Sequence, residues 1–228
     1  QWGNFYLEKS HGHEQLSAPS WLSFLYKRTI LKREANLMKI RYKLTLDFIE
    51  ENIRPGVVFS DIGCGTGIFT VAALKKGAKV NAIDFSQSAL DATRHSVETY
   101  AKECSANVEY FKINVEHEGS LPRSDIAMAM GVTPYIKDIN RFYLNVLSST
   151  NLFFCQLTDK WHWMNLIRRM LPVLNVRNLV FCSKSDIKAI AEKNDFFLAA
   201  RKNFATGFLD TYKSIASGSK KAKSITTE

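Results

Sequence analysis

Three alternating glycines, Gly63, Gly65 and Gly67, constrain the fold of this chain more than any other feature. Before them, Val57-Val58-Phe59-Ser60-Asp61-Ile62 is rich in β-branched and apolar residues; after them, Ile68 to Leu74 carries apolar residues at helical spacing. The order is strand, tight turn, helix. Glycine accepts positive φ and leaves the main chain open to a ligand, so the turn is suited to a nucleotide-like group. Dinucleotide binders favour G-x-G-x-x-G. Here the third glycine comes one residue earlier and an acid precedes the first.

A second feature lies in register with the first. Lys79-Val80-Asn81-Ala82-Ile83-Asp84 reads as the next strand and ends in a carboxylate 19 residues after Gly65. A Rossmann-like site needs an acceptor for ribose hydroxyls at that place. Phe85-Ser86-Gln87-Ser88-Ala89-Leu90 then opens a helix. The run Asp61-Ile62-Gly63-Cys64-Gly65-Thr66-Gly67 resembles motif I of the class I S-adenosylmethionine-dependent methyltransferases. Asp84, Ser86 and Leu90 are similar to the family's following strand end and helix start.

The resemblance covers roughly residues 21–213 and implies an α/β fold: a Rossmann-like, seven-stranded, mostly parallel sheet with helices on both faces and an N-terminal helical cap. Its last two strands would form an antiparallel hairpin at one edge. The implied cofactor is S-adenosyl-L-methionine. Its contacts would come from Asp61, Gly63, Cys64, Gly65, Thr66 and Gly67 in the turn, Asp84 and Phe85 after the second strand, Asn114 and Val115 after the third, and Gly131 after the fourth. The Asn114 side-chain carbonyl would accept from the adenine amine. The alternative is a turn residue that caps its own backbone.

Composition limits the remaining choices. A chain of 228 residues holds one α/β domain with a sizeable core. No apolar run approaches the length of a membrane span, and the first residues lack the order of a secretory signal. Cys64, Cys104, Cys155 and Cys182 are scattered without C-x-x-C pairing. That counts against zinc or another metal site and fits a reducing, cytoplasmic setting. The chain begins with Gln rather than Met, which fits a piece of a longer protein or a processed one.

The net charge of +9 is uneven. Residues 27–43 carry seven basic groups against Glu34, and residues 211–228 carry four lysines against Glu228. The remainder is nearly neutral, so no broad basic groove for nucleic acid is demanded. Two readings of the N-terminal cluster stay open: a solvated helix face, and contact with an anionic substrate or surface.

Residues 1–53 read as a lid followed by a helical cap, 54–213 as the cofactor-binding domain, and 214–228 as a disordered tail or linker. Trp2, Phe5 and Tyr6 are lid candidates, and Arg41 or another basic residue of the cap helix is a candidate for the methionine carboxylate, with a surface role as the alternative. The fourth strand, 124–130, opens into Gly131-Val132-Thr133-Pro134-Tyr135, at the strand ends where ligands bind in open α/β sheets. Thr133 and Tyr135 are therefore candidates for the acceptor site. Methyltransferases that act on planar amino groups carry D/N-P-P-Y here. This chain keeps only the Pro-Tyr, which counts against a nucleic-acid base.

A fifth strand, 151–157, leads into Thr158-Asp159-Lys160-Trp161-His162-Trp163. His162 is a candidate general base, and Trp161 and Trp163 are candidates to stack on a sugar or aromatic acceptor. The alternative has the tryptophans packing the next helix and His162 facing water. The resemblance implies methyl transfer to an oxygen or nitrogen of a small metabolite, including those of glycan and polysaccharide clusters. It extends more distantly to the magnesium-protoporphyrin O-methyltransferases. An RNA methyltransferase and a non-catalytic cofactor-binding module are the alternatives. Oligomeric state is open.

Overall fold

A computed structural model describes residues 31–170 and 179–216. The lid, the first third of the cap helix and most of the C-terminal tail fall outside the described residues. Within them the element order is α1 (Leu31–Asn52), β1 (Val58–Ile62), α2 (Ile68–Lys75), β2 (Lys79–Asp84), α3 (Gln87–Tyr100), β3 (Val108–Lys112), β4 (Ile126–Ala129), α4 (Ile139–Leu147), β5 (Leu152–Thr158), α5 (Trp163–Met170), α6 (Lys184–Lys193), β6 (Phe196–Phe204) and β7 (Gly207–Ser214). Short 3-10 turns cover Lys102–Asn107 and Thr133–Tyr135.

The seven strands form one sheet in the order β3-β2-β1-β4-β5-β7-β6. The first five are parallel; β7 inserts between β5 and β6 and runs antiparallel to both. The expected seven-stranded, mostly parallel sheet with a terminal hairpin is the fold observed. Reversal of the strand order between β1 and β4 opens a crevice at their carboxyl ends, the usual ligand position in such sheets.

Alternation along the strands sorts the core into two layers. Ala127, Ala129, Phe153, Cys155 and Leu157 face one side, where α4 contributes Phe142, Tyr143 and Val146 and α6 contributes Ile187 and Ala191. Phe59, Val80, Met128 and Phe154 face the other, against α1, α2 and α3. Both faces are covered, which is why β4 is wholly buried and reads as a continuous apolar run. Among the described residues, no helix is long and apolar enough to cross a membrane.

Two caps are legible locally. Asp138 and Ser183 accept from the N–H groups of Arg141 and Asp186 and start α4 and α6. Helix α3 ends at Tyr100, where the chain tightens into the 3-10 turn that leads to β3.

Helix α1 is fixed to the sheet by an aromatic stack. The Phe48 ring lies 4.1 Å from that of Phe154 at an interplanar angle of 10°, and Ile49 and Ile53 are buried beside it. Phe48→Ala removes the ring from this layer and is expected to destabilise the fold by about 3 kcal/mol, within the range for Phe-to-Ala changes in cores. The midpoint of urea unfolding measures the loss.

Candidate functional site

The site is built from the turn after β1. Gly63, Gly65 and Gly67 have φ of 71°, 54° and 78°. An added Cβ at Gly63 would collide with the Val132 side chain, and one at Gly67 would lie 2.8 Å from Thr93 Cα. Both glycines are thus required by conformation and by space. The Gly63 and Cys64 N–H groups donate to the Ile83 carbonyl at 2.7 and 3.2 Å, which seats the turn on the end of β2.

Asp84 fastens the other side of the turn. Its Oδ2 accepts from the Gly65 N–H at 3.2 Å and its Oδ1 from the Ser86 N–H at 3.0 Å. A carboxylate has about four lone-pair sites, so acceptor capacity remains toward a ligand. Helix α3 supports the turn from below: Thr93 Oγ1 donates to the Gly65 carbonyl at 3.0 Å, and Ser96 Oγ to the Thr66 carbonyl at 2.7 Å.

Asp61 is buried beneath the turn and accepts from Thr70 Oγ1 at 2.7 Å. Burial pushes its carboxyl up to about 6 against the pull of the Thr70 hydrogen bonds, and the neighbouring Asp84 charge adds to the rise. Burial likewise pushes the Cys64 thiol up to about 12, with the Asp61 charge adding. Cys64 is a packing residue at neutral pH, not a nucleophile.

A cavity of about 510 Å³ opens beyond the turn, lined by Ile62, Gly63, Asp84, Phe85, Ile113, Asn114, Val115, Glu116, Met130, Gly131, Val132, Tyr135 and Ile136. Its size is that of a small-molecule or cofactor site, mostly apolar with a few convergent polar groups. Seven residues singled out in the sequence meet on it: Gly63, Asp84, Phe85, Asn114, Val115, Gly131 and Tyr135. Asp61, Cys64, Thr66, Gly65 and Gly67 shape the turn behind it. Phe85 and Tyr135 are 72% and 65% exposed, so both keep rings free beside the cavity.

Asn114 makes the local backbone cap that was the alternative reading for it, at the edge of the cavity. It lines the cavity, and its Oδ1 also accepts from the Glu116 N–H at 3.2 Å.

Other candidates stand elsewhere. Thr133 is buried with its hydroxyl donated to the Gln156 carbonyl, so it holds the loop and does not face the cavity. His162 is not among the lining residues; its Nδ1 accepts from the Met164 N–H at 3.3 Å, at the start of α5. Trp161, on the turn after β5, and Trp163, at the start of α5, are exposed. Among the described residues, no group of three or more His, Cys, Asp or Glu side chains is placed to hold a metal ion.

Two residues not singled out in the sequence, Asn145 and Gln156, complete the site, and Gln156 meets Arg41, which was. Asn145 of α4 donates from Nδ2 to the carbonyls of Val115 and Glu118 at 2.8 and 2.9 Å, and so fixes the loop after β3. Its only hint is a polar residue on the buried side of an amphipathic helix. Gln156 accepts from Arg41 Nη1 at 3.2 Å, and the same nitrogen lies 3.2 Å from where a Cβ on Gly131 would stand. The Arg41 guanidinium is therefore carried by α1 to the carboxyl ends of β4 and β5.

Comparison with known proteins bears on the domain and the fold. Residues 60–151 match the family model described as a methyltransferase domain. The chain is 25% identical over 184 residues to the ribosomal protein L11 methyltransferase of Prochlorococcus marinus, covering 73% of this chain and 60% of that protein. It is 35% identical over 102 residues to the ubiquinone biosynthesis O-methyltransferase of Pseudoalteromonas translucida, covering 42% of this chain and 40% of that one. The chain thus spans less than two thirds of either relative's length. The crystal structure of magnesium protoporphyrin IX methyltransferase from Synechocystis PCC 6803 with bound SAH superimposes with a TM-score of 0.67 at 14% identity, over 94% of this chain and 95% of that one. The resemblance read from motif I holds in the matching domain and in the fold.

The raised Asp61 pKa has a defined pH signature. A carboxyl whose folded value lies above its unfolded one adds stability fully below about pH 4, and that contribution is lost as pH rises through about 6. The loss is of order 3 kcal/mol at 1.36 kcal/mol per unit. Asp61→Asn is expected to flatten this part of the stability profile; urea midpoints taken from pH 4 to 7 on both proteins give the comparison.

Proposed function

We propose, from the methyltransferase domain at residues 60–151 and the cavity beside it, that this chain is an S-adenosylmethionine-dependent methyltransferase. The observation that carries the reading is the convergence of the glycine turn and Asp84 on one cavity of cofactor size. The cofactor supplies a methyl group on a sulfonium, already activated for transfer. What remains for the protein is to bind, orient and exclude water.

The residues present fit those tasks. Asp84 has acceptor capacity left for ribose hydroxyls. Phe85, Ile113, Val115 and Ile136 offer apolar surface for a flat ring, with Asn114 at its edge. Arg41, beside Gly131, supplies a fixed positive charge for a carboxylate. Tyr135, exposed at the cavity, is the proposed contact for an incoming acceptor, and Glu116 and Tyr135 are lining groups able to hold or take its proton.

The acceptor proposed is an oxygen or nitrogen of a small metabolite or glycan. The Thr133-Pro134-Tyr135 loop, incomplete as a planar-amine clamp, makes a nucleic-acid base the weaker reading. Free thiols at Cys64, Cys104, Cys155 and Cys182 support a reducing compartment such as the cytoplasm.

Calorimetric titration with S-adenosylhomocysteine tests the site. Micromolar binding is expected. Asp84→Ala should weaken it by about tenfold or more, since losing hydrogen bonds to a charged group costs roughly 1.5–3 kcal/mol. Arg41→Ala should weaken it by about tenfold on the same grounds, with Arg41→Lys recovering part. No binding by the folded chain would sink the reading. Binding without turnover across O- and N-acceptors would leave a cofactor-binding module.

A further inference from the structure

Asp61 is an acid without a counter-ion. It is 2% exposed, and it accepts from the hydroxyl of Thr70 at 2.7 Å, a neutral donor. It makes no ion pair among the described residues. Buried carboxylates are ordinarily paired with a cation or kept neutral, because an isolated charge is costly to remove from water.

The elements packed around Asp61 supply no cation. Its register partners are Ala82 of β2 and Met128 of β4. At the end of β2 stands Asp84, whose charge adds to burial in opposing ionisation of Asp61. Helix α2 presents Thr70. The turn presents Cys64, a thiol that burial keeps protonated, and α3 presents Thr93, whose hydroxyl donates to Cys64 and Gly65. From α1, Arg41 stands beside Gly131 and bonds Gln156 rather than Asp61.

The cavity lies against these two acids. Ile62 and Gly63, which follow Asp61 in the chain, line it, and so does Asp84. Because the Asp84 charge is felt at Asp61, a charge placed in the cavity beside Asp84 is felt there as well, with the opposite effect when it is positive. A positive ligand is the counter-charge that folding leaves out.

We propose that Asp61 is a specificity residue of this site: its buried carboxylate favours the positively charged sulfonium of S-adenosylmethionine over the neutral thioether that remains once the methyl group has left. At the sulfur the two ligands differ by a methyl group and a charge. The charge is distinguished without contact, through the water-free layer under the turn. The role rests on the methyltransferase reading and deepens it, since a site that loses its attraction when the charge is gone releases its product.

Linkage gives the role a pH signature. Below about pH 6 Asp61 is neutral and offers no counter-charge; above it the charge is present. A bound cation favours the ionised acid, so binding of the charged ligand near pH 6 releases a proton, and binding of the neutral one releases less.

Calorimetric titrations of the full chain with S-adenosylmethionine and with S-adenosylhomocysteine, from pH 5 to 7, test the role. Affinity for the charged ligand relative to the neutral one should rise by about fivefold or more across that range. At pH 6, titrations in buffers of different ionisation enthalpy should show more proton release with the charged ligand. Asp61→Asn should hold the affinity ratio constant and abolish the difference in proton release. Thr70→Val keeps the acid and removes a hydrogen bond to its charged form, so the midpoint of the rise should move to higher pH; this variant decides the matter if Asp61→Asn does not fold. A ratio that does not change with pH in the unaltered chain, that changes equally in folded Asp61→Asn, or whose midpoint is the same in Thr70→Val overturns the role while cofactor binding stands. Absence of binding by either ligand in the folded chain overturns the methyltransferase reading and the role together, so the two failures are distinguishable.

Discussion

The carboxylate of Asp84 holds two strand ends together. One oxygen takes the Gly65 N–H from the turn after β1, and the other takes the Ser86 N–H at the start of α3. These donors belong to backbone that no helix or strand ladder satisfies, and a buried unpaired N–H costs roughly as much as a lost hydrogen bond. The turn is thus pre-formed around the acid, and entropy that a loose glycine loop would lose on binding is already lost on folding.

Helix α3 makes that arrangement rigid. Thr93 and Ser96, both buried, spend their hydroxyls on carbonyls of the turn. Gly67 is packed so closely on Thr93 that any side chain there would displace α3. The acid beneath, Asp61, is a cost accepted at the same place: its carboxyl resists ionisation because water is excluded from the space under the glycines. Packing and electrostatics at the turn are two results of one burial.

Much of the sheet and half of the site were legible in the sequence because their signals are local. The strand, turn and helix around Gly63, Gly65 and Gly67 follow from spacing within a dozen residues, and Asp84 follows from the next strand end. Strand order was not legible, since β7 inserting beside β5 depends on pairings 49 to 61 residues apart. Thr133 and His162 stood in the right loops by position. A loop position does not fix the direction of a side chain, and both were turned to backbone partners. Arg41 reaches Gln156 across 115 residues of chain, and Asn145 reaches Val115 across 30; only the folded structure brings these pairs together.

Arg41 belongs to a helix that precedes the sheet, yet it stands at the carboxyl ends of β4 and β5. The site is consequently shared between two parts of the chain that pack through Phe48 and Phe154. Ligand affinity then contains a population factor: if α1 is docked in only a fraction of molecules, the observed dissociation constant rises by the inverse of that fraction. Changes far from the cavity that loosen α1 act as apparent affinity changes, and a bound ligand in turn becomes a clasp on the helix.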